Sequence, residues 1–425
     1  MFRNLVRKVA VPLTPLVKYF SEKKQTRNNL PTKELGFGGS GAGSSLSSLP
    51  ADEYLPEISF PHSLFLYNKM RRSDSTIQAV EYALTLPIRA TDWRVEEGGS
   101  SPSAKQAADL INETFFGGMT ITFDDFLREA LLALFYGFVP FEKVYEQRNG
   151  LWTYRKLAPR HPATVECFLF APDGGLEGIR QSGVDPTGRW RQVTIPIDKL
   201  LLFIWRREFG NPYGFSLLRP IYKHWLLKDI YYKLQGVALE RWSAGIAVGK
   251  VPRGTSESDR NLLLSVLEKL RTHDRAALVL PEDFSVEILG GQVAATQAFS
   301  EAIQHHDTMM VKGVLAQFLN LGQGDIGSWA LSRDHSQLFL LSLNAVAQWF
   351  ADIVNRYAIQ PLCQINFGQD FDEFPRLTFT DLRMILHRDD LARTVAELIS
   401  RSALSPDRSL QDFLRNLLDL PRSGD

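Results

Sequence analysis

Hydrophobic positions recur with two different periods along this 425-residue chain. Over residues 51–137 most of them follow the three-to-four spacing of amphipathic helices. From Phe138 to Trp205 they form short runs typical of strands, separated by the turn signals Asn149-Gly150 and Asp173-Gly174-Gly175. The two patterns together predict one α+β domain over residues 51–210.

Helix-breaking residues set the predicted boundaries within the helical half. Two helical pieces are predicted to break at Ser73-Asp74, and Pro87 is predicted to stop the second piece. A strand is predicted over residues 92–98, and two further helices are predicted over 103–115 and 123–136.

Three long helical patterns follow this domain. The first begins near Pro220, which a helix tolerates only in its first turn, and runs to residue 243. The second covers about residues 295–319, and the third covers about 330–359 and is predicted to stop before Pro361. A helix of about 24 residues extends roughly 36 Å, so the first is expected to span something rather than fold back within a compact domain.

Composition places the chain among folded proteins that have no global attraction for nucleic acid. Hydrophobic residues make up 44% of it, and 48 basic side chains balance 48 acidic ones, so any contact with DNA has to be local. Cys167 and Cys363 have no metal-ligand or redox spacing and are expected to be reduced core thiols. No apolar run reaches about 18 residues, so no membrane-spanning helix is predicted.

The first 50 residues differ from the rest in composition. Residues 1–30 carry seven basic side chains against one acidic side chain, which fits a basic arm that docks on an acidic surface, on DNA or on a membrane face, or a solvated tail. Residues 36–50 form a Gly/Ser linker. Its GxGxxG pattern is a chance match, because no strand precedes the glycines and no helix begins at them.

The sequence lacks the motifs of several enzyme classes. It contains no GxxxxGK[ST] phosphate loop and no HExxH, CxxC, GxSxG or EF-hand pattern. Adjacent helical positions point about 100° apart, so His305 and His306 are expected to pack rather than to share a metal. Ser328, Asp334 and His335 resemble a triad in composition only, because an Asp and a His that are neighbours at the start of a helix diverge in direction. The sequence therefore predicts no catalytic residue, metal or cofactor.

The segment "LNLGQGDIGSWALSRDH", residues 319–335, interrupts the helical pattern with three glycines. Glycine permits positive φ and lowers the barrier to rearrangement. No lysine or arginine occurs between residues 313 and 332, whereas a loop that clamps phosphates would be basic. The composition favours a loop that approaches a polyanion or another chain without gripping it, with a plain surface connector as the alternative.

Five segments occur in a fixed order along the chain: "YNKMRRSDSTIQAVEYALTLPIRATDWRVE", "YGFVPFEKVYE", "KLAPRHPATV", "NPYGFSLLRPIY" and "LGQGDIGSWALSRDHSQLF". Together they resemble the portal proteins of tailed double-stranded-DNA bacteriophages, closest to the Mu-like group. The resemblance extends from about residue 54 to about residue 400 and is weakest in the basic arm and at the C-terminus.

The resemblance implies an α+β, portal-like subunit with a wing, long stem helices, a small αβ clip and a short helical crown. Its implied parts are a basic arm and linker (1–50), an α+β wing (51–210), a first stem helix (211–243), a clip (244–293), a second stem helix (294–319), a tunnel loop (320–329), a long wing helix with its connection (330–375), and a C-terminal wing strand with crown helices (376–425).

In that family the subunits form a dodecameric ring at one capsid vertex, through which double-stranded DNA enters during packaging and leaves during ejection. The implied partners are further copies of the chain, the terminase large subunit that supplies the energy, a head-tail adaptor and the major capsid protein, with no membrane. The implied location is the virion, after assembly in the host cytoplasm. The residues implied to face DNA are Gln323, Gly324, Asp325, Ile326, Gly327, Ser328 and Trp329, and those implied to dock terminase and adaptor are Arg253, Arg260, Lys269, Arg271 and Arg275.

Two other classes of function compete with this interpretation. A hydrolase would use His305, His306, Asp307 or Ser328, and substitution of these residues would abolish turnover but spare assembly. A non-ring scaffold would bind nucleic acid through the basic arm, and deletion of residues 1–30 would remove salt-dependent DNA binding.

Overall fold

A computed structural model describes residues 53–171, 175–184, 187–208, 210–243, 246–270, 285–289, 293–314 and 329–382, together with 397 and 399. The α-helices in chain order are α1 (His62–Ser73), α2 (Ser75–Ala90), α3 (Pro102–Glu113), α4 (Phe123–Leu131), α5 (Ala133–Tyr136), α6 (Leu218–Ser243), α7 (Glu257–Leu270), α8 (Val293–Lys312), α9 (Trp329–Val354) and α10 (Gln360–Phe367). The strands are β1 (Trp93–Glu96), β2 (Phe138–Arg148), β3 (Leu151–Pro159), β4 (Val165–Phe170), β5 (Leu176–Val184), β6 (Trp190–Pro196), β7 (Leu200–Ile204), β8 (Ile246–Lys250), β9 (Ser285–Leu289) and β10 (Arg376–Phe379). The architecture is α+β, as predicted.

Asp74 produces the predicted break between α1 and α2. Its backbone is extended, and its carboxylate accepts hydrogen bonds from the backbone N–H groups of Thr76 and Ile77, so it caps the new helix. The predicted stop at Pro87 is wrong, because α2 continues to Ala90. Pro87 lies in the last turn and removes one hydrogen bond there, while the fully buried Ile88 anchors that turn in the core.

Antiparallel strands form two three-stranded sheets, with the orders β3-β2-β7 and β4-β5-β6. The hairpin between β2 and β3 turns at Asn149 (φ 52°) and Gly150 (φ 83°). Positive φ at both turn residues is what a two-residue type I′ hairpin requires, so the predicted Asn-Gly turn is confirmed. Of the other predicted turn, Asp173-Gly174-Gly175, the first two residues lie outside the described residues.

Aromatic side chains join the first sheet to helix α9. Phe203 of β7 stacks on Phe350 of α9 with ring centroids 5.4 Å apart, and Phe126 of α4 lies 5.1 Å from Phe141 of β2. All four are fully buried. Trp349 also donates a hydrogen bond of 3.1 Å from its indole nitrogen to the carbonyl of Ile204, so the helix and the sheet share one core.

The predicted stop of the third long helix before Pro361 is also wrong. The chain passes from α9 through a π-helical turn, Asn355–Ile359, directly into α10, with Pro361 in the first turn of α10. Hydrogen bonds in a π-helical turn run five residues back, so the missing N–H of Pro361 falls at a shift of register rather than inside a regular α-helix.

Within the described part of the chain, Gln337–Phe367 is the one helical segment long and apolar enough to cross a membrane, with a mean hydropathy of 1.3. Part of its apolar composition is explained by the core, in which Leu343, Phe350, Val354 and Leu362 are fully buried, whereas Leu338, Leu341 and Tyr357 of the same segment are about half exposed. A core helix of a folded domain passes the same test of length and hydropathy.

Two asparagines on this helical segment hold the last described strand. Asn355 accepts a hydrogen bond of 2.7 Å from the N–H of Leu377 and donates one of 3.1 Å to its carbonyl, while Asn344 accepts one from the N–H of Leu382. Strand β10 pairs antiparallel with β1, so residues far apart in sequence close one small sheet.

Gly313, just after α8, permits the backbone at the end of α8 to approach the first turn of α6 closely. A Cβ atom at this position would lie 2.6 Å from Cγ2 of the buried Ile221, whereas Gly236 within α6 has no neighbour within 4 Å. We expect Gly313→Ala to lower the free energy of unfolding by about 1–3 kcal/mol through overpacking.

Gly236→Ala is the matched control and is expected to raise stability by about 0.5–1 kcal/mol, since glycine is unfavourable inside a helix. Urea unfolding of both variants at one protein concentration measures the difference. Equal effects of the two substitutions would show that the close approach at Gly313 does not matter.

Candidate assembly surface of the long helix pair

Helices α6 and α8 form an antiparallel pair that extends from the α+β domain. Contacts between them run in opposite chain directions, from Ile221 with Gly313 at one end to Gln235 with Ser300 at the other, where the Gln235 amide donates a hydrogen bond of 2.9 Å to the Ser300 hydroxyl. The observed bounds of α6 agree with the predicted helix. The second predicted helix agrees over 295–312, but the helix ends at Lys312 and residues 313–314 form a turn; residues 315–319 of that prediction lie outside the described residues.

A buried ion-pair network anchors this pair to α2. The ammonium of Lys228, a residue 3% exposed, lies 2.9 Å from the Asp74 carboxylate and 2.5 Å from the Asp307 carboxylate. Thr76 donates its hydroxyl to Asp307 at 2.6 Å. Burial lowers the pKa of Lys228, but its bonds to Asp307 and Asp74 outweigh burial, so the pKa lies above the ordinary lysine value. Asp307 is therefore a structural ion-pair partner.

Three histidines meet beside this network. Nδ1 of His224 on α6 lies 3.0 Å from Nδ1 of His306 on α8, and the ring of Tyr231 stacks on His306 with centroids 5.5 Å apart. His306 is 7% exposed and His305 is exposed, so the two neighbours point in different directions, as predicted. Among the described residues, no group of three or more His, Cys, Asp or Glu side chains is arranged to hold a metal ion.

The surface of α6 that faces away from α8 is apolar, and the described part of the chain leaves it uncovered. We call it the outer stripe, and its members are between 39% and 47% exposed: Leu226, Leu227, Ile230, Leu234 and Val237. At 100° per residue these positions fall within about 100° of arc and extend about 16 Å along the axis. The centre of the arc lies roughly 130° around the helix from the side that carries His224, Lys228 and Gln235. The stripe is therefore separate from the α6–α8 contact.

Helix α6 is rich in aromatic residues, and the structure gives them different environments. Trp225 is buried within the chain, Tyr231 is half-buried against His306, and Tyr232 is exposed; the side chain of Trp242 lies outside the described residues. The outer stripe is aliphatic instead. The spacing Leu226, Ile230, Leu234 and Val237 was available in the sequence, but it runs beside a second periodic row that includes Tyr231 and Ala238 and faces α8.

The outer surface of α8 is polar. Its exposed positions are Gln297, Ala298, Glu301, Gln304, His305 and Thr308, with Ser300 at the margin beside α6 and Lys312 at the C-terminal end of the helix. The helix pair thus presents one apolar and one polar surface to its surroundings.

The predicted αβ module between the two long helices is present in part. Strands β8 and β9 pair antiparallel, with Ile246 opposite Leu289, and Ser256 caps α7 by accepting a hydrogen bond from the N–H of Asp259. Arg253 and Arg260 are exposed on this module. The side chain of Lys269 and all of Arg271 and Arg275 lie outside the described residues, so the docking role of the five residues stays a prediction.

The predicted tunnel loop falls between α8 and α9. Gln323, Gly324, Asp325, Ile326, Gly327 and Ser328 lie outside the described residues, and Trp329 is the first residue of α9, with a side chain that is also outside them. The basic arm and the crown helices, apart from residues 397 and 399, are outside as well.

Comparison with solved structures shows the fold. This chain is similar to a chain in the virion of a native gene transfer agent particle, with a TM-score of 0.57, 11% identity, and coverage of 86% of this chain and 95% of that chain. It is similar to a chain in the neck of an empty gene transfer agent particle, with a TM-score of 0.58, 12% identity and the same coverage. It is also similar to a chain in the neck of the native particle, computed with C12 symmetry, with a TM-score of 0.57, 12% identity, and coverage of 85% of this chain and 95% of that chain.

A family model provides the more specific comparison. The model described as "Portal protein of Mu bacteriophage" matches residues 64–412, which is well over half of the chain and includes the α+β domain, both long helices and the module between them. The chain therefore belongs to the Mu bacteriophage family of portal proteins.

Proposed function

We propose that this protein forms a closed ring at one vertex of a phage capsid and serves there as a conduit for double-stranded DNA. The observation that carries the proposal is the outer stripe, an apolar surface on a long helix that its own partner helix leaves uncovered. A ring brings a different surface of the next subunit against each such stripe, and every interface is repeated until the ring closes. Complete burial of one aliphatic side chain contributes at most about 1.5–3 kcal/mol of stabilising free energy. Because the side chains of the outer stripe are only about half buried in the single chain, part of this free energy is left to be gained on assembly.

The polar surface of α8 fits the wall of a water-filled channel. It presents amide and hydroxyl groups with one carboxylate, Glu301, and one imidazole, His305. DNA that moves through a channel without regard to sequence requires weak and interchangeable phosphate contacts, which a basic wall would strengthen. In this proposal α6 contacts the neighbouring subunit and α8 faces the channel.

The oligomeric state of the full chain tests the proposal. Light scattering after size-exclusion chromatography, combined with negative-stain imaging, is expected to show ring particles with about twelve subunits, a number suggested by the C12 neck of the gene transfer agent particle. Deletion of residues 1–30 is expected to leave the rings intact. A monomer at all salt and protein concentrations, with DNA binding that depends on residues 1–30, would favour the non-ring scaffold instead.

The partners follow from the same proposal. The terminase large subunit and later the head-tail adaptor would dock on the module that carries Arg253, Arg260, Lys269, Arg271 and Arg275, and the major capsid protein would surround the ring in the virion, after assembly in the host cytoplasm. Arg253 and Arg260 support this docking role by their exposure.

The tunnel loop is the part of the chain proposed to meet DNA. We expect Asp325→Ala and Trp329→Ala to reduce DNA packaging or retention without preventing ring formation, because several copies of a weakly interacting loop would line the constriction. DNA packaging into capsids that carry the variant rings measures the effect, and Leu86→Ala at an exposed position of α2 is the control. Normal packaging by both loop variants would contradict the assignment of residues 320–329.

A further inference from the structure

The contact between His224 and His306 depends on the protonation of a half-buried and a buried imidazole. Their Nδ1 atoms are 3.0 Å apart, so one ring donates its Nδ1–H to an unprotonated Nδ1 of the other, and the two rings cannot both be protonated in this arrangement. Burial, followed by nearby positive groups, lowers the pKa of His224 below the ordinary histidine value, and burial lowers the pKa of His306 as well. The short distance between the Nδ1 atoms and the two lowered pKa values both favour neutral rings at this contact.

The groups around the pair do not compensate two added charges. On α6 the neighbouring charges are Lys223 and Lys228, and on α8 they are His305 and Asp307. Asp74, at the start of α2, and Asp307 both already bind the Lys228 ammonium. Tyr231 covers His306 with the face of its ring and offers no carboxylate.

We propose that the His224–His306 pair is a proton-sensitive contact that holds α6 against α8 when both rings are neutral and separates them when both are protonated. Protonation of both rings removes the hydrogen bond and places two positive charges next to each other in a sheltered site. The Lys228–Asp74–Asp307 network, one helical turn from His224, would retain the anchor to α2, so the change is local to the helix pair. Because the contact lies within one chain, this inference does not require that the ring forms.

The direction of the pH effect follows from proton uptake. Each imidazole has a lower pKa in the folded chain than in the unfolded chain, so the unfolded chain binds more protons once the pH falls below about 6.5. The stability contributed by the neutral pair is therefore fully present above that pH and declines as the pH falls toward the folded pKa values. Two such groups together change the unfolding equilibrium constant by up to about a hundredfold per pH unit.

The test compares the full wild-type chain with a double variant, His224→Asn and His306→Asn, whose amides can hydrogen-bond but do not titrate. Between pH 7.5 and 5.5 the unfolding equilibrium constant of the wild type is expected to rise at least tenfold more than that of the variant. Hydrogen exchange, corrected for its intrinsic pH dependence, is expected to show lost protection in α6 and α8 of the wild type at pH 5.5, with α2 unchanged.

The exposed His62, exchanged for asparagine, is the matched control and is expected to behave like the wild type. If the double variant does not fold, the single variant His306→Asn replaces it, with about half the pH slope. Parallel pH dependences of wild type and variant, or equal loss of protection in α2, α6 and α8, would overturn the proposal.

Discussion

Replacement of Lys228 by methionine is expected to lower the free energy of unfolding by about 3–5 kcal/mol. The substitution keeps the length of the side chain but removes the cation that lies between Asp74 and Asp307. Asp74 is buried and also caps α2, so an uncompensated carboxylate at this place weakens both the cap and the attachment of the helix pair. Urea unfolding followed by circular dichroism measures the loss.

Lys233→Met is the control for this prediction. Lys233 forms an exposed pair with Asp229 on the same helix at 2.6 Å, and exposed pairs of this kind contribute less than about 1 kcal/mol. Asp307→Asn, added to Lys228→Met, is expected to restore part of the stability because it removes one of the two unpaired charges. A loss below about 1 kcal/mol for Lys228→Met would contradict the role of the network as the anchor of the pair.

The second large effect is expected on assembly. The double variant Ile230→Asp and Leu234→Asp should convert rings into single chains of 48.1 kDa, because each interface would then have to bury two carboxylates where it buried two aliphatic side chains. The fold is expected to persist, since both positions are more than 40% exposed in the single chain. Mass photometry measures the particle mass, and circular dichroism checks the fold.

Leu86→Asp is the matched control for the assembly prediction. Leu86 is 48% exposed on α2, so the same chemical change is made at an equally exposed helical position outside the outer stripe. The control is expected to keep its rings. Rings in the double variant would exclude the outer stripe as the subunit interface while leaving the family assignment unaffected.

Much of the fold could be predicted from local pattern. The α+β class, the break at Asp74, the Asn149-Gly150 turn and the extent of α6 all depend on residues close together in sequence. The two wrong helix stops share one cause. A proline inside a regular helix ends or kinks it, and both predicted stops depend on that effect. Pro87 instead lies in the last turn of its helix, and Pro361 lies where a π-helical turn shifts the hydrogen-bond register.

The features of the helix pair could not be predicted in the same way. His224 and His306 are 82 positions apart, and Thr76 and Asp307 are 231 positions apart. Neither contact can therefore be predicted from the spacing of residues that are close together in sequence. Asp307 was considered as part of a hydrolytic site, and only the position of Lys228 shows why a carboxylate is needed there. Burial of the aromatic residues of α6 likewise depends on which side of the helix meets α8.

Asn355 has a consequence for how this protein behaves at high concentration. An edge strand with free N–H and C=O groups is a template on which another chain can form a sheet. The side-chain amide of Asn355 occupies both backbone groups of Leu377, so the edge of β10 has no free pair at its centre. We therefore expect this edge to resist irregular strand pairing between crowded copies of the chain, so that the helix that packs in the core also limits aggregation.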